Sequence, residues 1–96
     1  MSEEKGHPAR READGGQFKR LLDEQNDWPA PFTFKFIVPK DQLDALREIL
    51  DGYDLRTRES RNGNYLAITL DPVMESSEDV LRIYGRASKI KGIVSL

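Results

Sequence analysis

Two alternating segments, residues 55–60 and 65–70, meet at Arg61-Asn62-Gly63-Asn64, and this junction constrains the chain more than any other feature. Asn-Gly between alternating runs is the strongest short-range hairpin signal, because a type I′ turn needs positive φ at both central positions. The spacing predicts an antiparallel pair, Leu55–Ser60 with Tyr65–Leu70. In the later strand Leu66, Ile68 and Leu70 alternate with Tyr65, Ala67 and Thr69. The leucine-isoleucine set is expected on a core face, with Tyr65 and Thr69 on the opposite one.

The segments around the hairpin complete a pattern. Phe32 to Val38 reads as a strand, with Phe32, Phe34 and Phe36 pointing inward and Thr33, Lys35 and Ile37 outward. Leu43, Leu46, Ile49 and Leu50 recur at helical spacing, with Asp41 as N-cap or first-turn acid and Gly52 as a left-handed C-terminal cap. Pro72 ends the hairpin's second strand. Ser76-Ser77-Glu78-Asp79 is a helix start, followed by a stripe of Val80, Leu81, Tyr84 and Ala87. Lys91-Gly92 breaks that helix, and Ile93–Leu96 forms a short last strand. Strand, helix, hairpin, helix, strand is the split β-α-β order. The expected fold is α+β, a ferredoxin-like βαββαβ sandwich with a four-stranded antiparallel sheet and two helices on one face. Right-handed crossovers place the first and last strands side by side at the sheet centre.

Apolar residues are unevenly placed. Phe18, Leu21 and Leu22 are the only leucine and phenylalanine side chains of residues 1–26. Residues 1–16 have too little to bury to offset the entropy of ordering and are expected to be disordered. Residues 17–25 can form two helical turns, which Trp28-Pro29-Ala30-Pro31 then stops. The chain divides into a flexible tail, 1–26, and a ferredoxin-like domain, 27–96. Trp28 is expected to plug one edge of the core. So short a domain buries only roughly 60% of its unfolded surface, and self-association is a common remedy.

Composition excludes several kinds of chemistry. The chain has no cysteine, which removes disulfides, thiolate catalysis and cysteine metal sites. Its single histidine, His7, lies in the tail, so the common nucleophile-base pairs cannot be built in the domain. Glycines form no phosphate-cradling motif, and metal-ligand spacing is missing. No catalytic residue, metal or cofactor is expected. The start of the chain lacks the apolar run of a signal peptide, no stretch is long enough to span a membrane, and a cytoplasmic location is the default. From Phe32 onward ten acidic side chains balance ten basic ones. A neutral domain is a poor general nucleic-acid binder, since phosphate neutralisation dominates that affinity.

One local feature stands out against this neutral background. Arg56 and Arg58 alternate on the second strand and Arg61 follows in the turn. With Lys35 and Tyr65 on the same uncovered face, they form a candidate surface for an anion, an RNA backbone or an acidic partner. Charge on an edge strand also has a plain purpose, to block aggregation. RNA-recognition sheets stack bases on aromatics of their central strands, and only Tyr65 could stack here. Lys35, Arg56, Arg58 and Tyr65 are the candidate ligand- or partner-binding residues.

The run Trp28-Pro29-Ala30-Pro31-Phe32-Thr33-Phe34-Lys35 resembles the opening signature of the YbeD-like family of bacterial proteins, a domain of unknown function (family 493). Gly63-Asn64-Tyr65, the Ile83-Tyr84 pair and the Ile93–Leu96 strand continue the resemblance, which covers roughly residues 18–96. It implies a ferredoxin-like fold and similarity to the small ligand-sensing ACT domains, and it brings no catalytic residues with it.

These readings converge on a non-enzymatic regulatory or interaction module. Its partner would be an unknown protein or a small metabolite, and neither membrane nor nucleic acid is favoured. An RNA-binding module using Lys35, Arg56, Arg58 and Tyr65 is the alternative. A homodimer is expected from the thin core and a partly apolar open face containing Ile37, Tyr65 and Ile93.

Overall fold

The computed structural model describes residues 16–96. Residues 1–15 of the expected tail 1–26, with His7, lie outside the described residues, and the short helix expected over residues 17–25 is present. Helix α1 (Phe18–Gln25) comes first and buries Leu22. Strands β1 (Ala30–Pro31) and β2 (Phe34–Pro39) follow, then a single 3-10 turn (Lys40–Gln42) that leads into helix α2 (Leu43–Ile49). The hairpin is β3 (Arg56–Glu59) and β4 (Tyr65–Leu70). Next come β5 (Val73–Met74), helix α3 (Ser77–Ala87) and β6 (Val94–Ser95). Among the described residues the fold is α+β, with two antiparallel sheets.

The larger sheet has the order β3-β4-β2-β6. The first and last of its strands are antiparallel neighbours, but they are not side by side at the sheet centre: only β2 is central and β6 lies at an edge. The hairpin's return strand β4 takes the other central place because it pairs with β2 along all six residues, Phe34 with Leu70 through Pro39 with Tyr65. The smaller sheet, β1 with β5, has no counterpart in the sequence reading. Two-residue strands with a proline in one carry no periodic signal.

One face of the large sheet makes the core. Phe34, Phe36 and Val38 from β2 and Leu66, Ile68 and Leu70 from β4 are buried with Leu46 and Leu50 on the α2 side and Val80, Ile83 and Ala87 from α3. The alternation in β2 and β4 sets this face, since period-2 strands send every second side chain to one side. Tyr84 extends α3's contact, its ring 5.1 Å from that of Phe34 and 6.0 Å from that of Phe36. Phe32 joins the same aromatic group, 4.9 Å from Phe34 in an edge-on arrangement. It precedes the strand instead of starting it: its N–H still donates to the Pro72 carbonyl at 3.0 Å, in register with the Phe34–Leu70 pair, but Pro72 has no N–H to return the bond, so the ladder breaks there. Ile83, outside the expected stripe, is more deeply buried than Leu81 or Tyr84.

Turns and caps follow local chemistry. Ser76 caps α3, its hydroxyl accepting from the Asp79 N–H at 3.2 Å. Asp41 sits in the 3-10 turn before α2 and makes no side-chain cap. The hairpin loop is not the expected type I′ turn, since only Gly63 has positive φ, at 77°. Ser60 instead organises a longer loop: its carbonyl accepts from Gly63 N–H at 3.0 Å, and its hydroxyl accepts from Tyr65 N–H at 3.1 Å. Asn62 adds its side-chain oxygen as acceptor for the Asn64 N–H at 3.2 Å. These polar side chains hold the loop with one left-handed residue where a type I′ turn needs two.

Trp28 packs against the core as a partly buried plug and donates its indole N–H to Asp23 of α1 at 2.8 Å. That bond and the buried Leu22 tie α1 to the body, and the Phe18 ring lies 6.0 Å from Tyr84.

Candidate functional site

The face of the sheet opposite the helices is uncovered among the described residues. Register places its side chains in rows. One row runs Arg56, Thr69, Lys35, and Leu96 stands beside Lys35 because its N–H donates to the Lys35 carbonyl at 2.9 Å. The next row runs Arg58, Ala67, Ile37, Val94. Small side chains at Ala67 and Thr69 sit between longer ones on both sides. A shallow trough of about 400 Å³ results, lined by Lys35, Arg56, Arg58, Ala67, Thr69 and Leu96 among others.

Three of the four residues singled out from sequence, Lys35, Arg56 and Arg58, therefore meet at one depression. Tyr65 does not join them. It stands opposite Pro39 at the far end of the sheet and lines a separate hollow with Ser60, Arg61 and Asn62. The apolar wall of the trough comes from Leu96, not from Ile93, which the sequence reading placed on the open face. Ile93 is partly buried and packs against the core, while Val94 and Leu96 stand exposed on the open side. A one-residue change of register moves every side chain of a strand to the other face.

The three cations are not equivalent. The Arg56 guanidinium donates to Asp71 at 2.7 Å, and the same carboxylate accepts from the Thr33 hydroxyl at 2.8 Å. The hydrogen bonds from Arg56 and then Thr33 hold the Asp71 carboxyl below its ordinary value of 3.8. At the other end of β3, Glu59 pairs with Lys40 at 2.7 Å, and that contact lowers its pKa as well. Among the described residues, Lys35 and Arg58 form no ion pair. The two ends of β3 are closed by exposed ion pairs and its middle charge is open.

Asp71 escaped the sequence reading because nothing local marks it: it lies fifteen residues from Arg56 and thirty-eight from Thr33. The pair has a defined pH signature. A carboxylate with a lowered folded pKa contributes stability above its unfolded pKa and loses it as pH falls through the folded one. Proton titration of Asp71 followed by NMR is expected to give a midpoint below 3.8, and Arg56→Ala should move it upward. An unchanged midpoint in the variant would show that Arg56 does not hold this carboxylate in solution.

Among the described residues, no group of three or more His, Cys, Asp or Glu is placed to hold a metal ion. Nor is any described helix long and apolar enough to cross a membrane.

No curated protein and no solved structure matches this chain. A family model described as "Protein of unknown function (DUF493)" matches residues 23–96, from the middle of α1 to the last residue. The match spans the proline-rich entry, the hairpin, the Ile83-Tyr84 pair and the last strand, the motifs that carry the YbeD-like resemblance. On that match, the chain belongs to the DUF493 family.

Proposed function

We propose that the chain is a non-enzymatic regulatory or interaction module, a ferredoxin-like plait whose uncovered sheet face holds carboxylate groups of a small ligand or a partner protein in the cytoplasm. The observation that carries this reading is the trough between Lys35 and Arg58, two cations with no ion pair among the described residues. A carboxylate placed between them makes charge-assisted hydrogen bonds, which are the stronger kind. Leu96, at 69% exposure, offers an apolar surface for the rest of the ligand. The ACT-like similarity implied by the family resemblance supports a sensing role. An RNA reading has less support, because Tyr65 lies outside the trough and Asp71 already neutralises Arg56.

The test is a nitrogen-proton NMR titration of the full chain with glutarate, a simple dicarboxylate, at low salt. Shifts are expected at Lys35, Arg58 and Thr69. Arg58→Ala should weaken binding about five- to tenfold, and added salt should weaken it further. Shifts confined to the Gly52 and Pro72 loops would overturn the reading. So would turnover of a metabolite that survives repurification.

A further inference from the structure

Among the described residues, strand β3 has a sheet neighbour on one side only. In an antiparallel ladder, residues bonded to the inner neighbour alternate with residues whose backbone groups point away from it. The Ser60 N–H donates to the Tyr65 carbonyl at 2.8 Å, which puts Ser60 on the inward phase. Arg58 opposite Ala67 and Arg56 opposite Thr69 share that phase. Thr57 and Glu59 therefore turn their N–H and C=O groups outward along an edge where all four residues are exposed.

Side chains sort the other way. Arg56 and Arg58 border the trough, and of these Arg58 forms no ion pair among the described residues. A second copy of the chain pairing antiparallel along this edge would set arginines against arginines, and like charges directly opposite are destabilising. The charge that repels a copy attracts an opposite sequence. An extended segment with a carboxylate at every second position would meet outward backbone groups and Arg58 in a single register, which is the strand-addition mode of peptide recognition.

We propose that the outer edge of β3 receives an acidic, extended segment of a partner protein, with Glu or Asp at alternate positions, as a fifth strand of the sheet. The proposal rests on the reading of the uncovered face as a carboxylate-binding surface, and names the partner and its geometry.

The experiment uses the labelled full chain and two probes, a seven-residue peptide alternating Glu and Thr, and glutarate. Amide exchange at Thr57 and Glu59 is expected to slow at least fivefold under saturating peptide, with shifts at Arg58. Arg58→Glu should reduce peptide affinity more than tenfold. Peptide that shifts Lys35 and Arg58 while leaving exchange at Thr57 and Glu59 unchanged would overturn strand addition but not the carboxylate surface. Glutarate shifting those residues with no effect of peptide would do the same. If neither probe perturbs the face, both proposals fall.

Discussion

Replacing Phe34 with alanine is expected to remove about 3–5 kcal/mol of stability, the usual range for deleting a fully buried aromatic ring. Phe34 has no exposed surface, and its ring meets Phe32 at 4.9 Å, Tyr84 at 5.1 Å and Phe36 at 6.3 Å. It pairs with Leu70 in β2's six-residue ladder with β4, which holds the backbone in place and limits collapse into the vacated space. Domains of this kind have about 5–15 kcal/mol in total, so the variant should melt well over 10 °C lower or fail to fold. Phe34→Leu keeps most of the volume and should cost less than half as much, which gives a folded variant to measure. Urea denaturation followed by circular dichroism reads both. An alanine variant within about 1 kcal/mol of the parent would mean that the aromatic group does not hold β2 to α3.

The second large effect is at Gly92. Its φ is +78°, and a Cβ there would lie 2.9 Å from Pro39 Cγ and 3.3 Å from Cδ. Alanine at this position meets two penalties at once, the left-handed backbone at roughly 1–2 kcal/mol and a clash with a stiff ring. Gly92→Ala is expected to destabilise the chain by about 2–3 kcal/mol. Gly63, at φ +77° and with nothing within 4 Å of the place a Cβ would take, separates the two penalties. Gly63→Ala should cost only the backbone part, about 1–2 kcal/mol. The Gly92 variant should also speed exchange of the Leu96 amide, which bonds to the Lys35 carbonyl just beyond the turn. Equal losses at the two glycines would show that Pro39 moves aside without cost.

Where the fold was legible, a period was long enough to read. β4 has six residues of strict alternation, and its inward set, Leu66, Ile68 and Leu70, is the buried one. The α3 start was legible because Ser76 and Asp79 have the chemistry that satisfies free N–H groups. Legibility failed where a choice between equal local options is made by particular hydrogen-bond partners and not by a period. Phe32 continues the alternation of β2 and its N–H meets the Pro72 carbonyl in register, yet Pro72 has no N–H to return, and the ladder breaks at that pair. Asn-Gly permits a two-residue turn, yet the Ser60 hydroxyl and the Asn62 amide stabilise a longer loop. The last strand, two residues long, has no period to fix its faces, and pairing with β2 decides that Val94 and Leu96 face out. At the candidate site the basic residues could be read from their alternation on β3. The ion pair that withdraws Arg56 could not, since it depends on where β4 ends.

Trp28 gives the molecule a built-in optical reporter. It is the only tryptophan in the chain, and its indole N–H is bound to a carboxylate of α1. Emission from that indole therefore senses the docking of α1, while backbone dichroism senses the sheet and helices together. Where the two signals change at one denaturant concentration, α1 belongs to the same cooperative unit as the sheet. Where emission changes first, the offset between the curves measures how loosely the first helix is held.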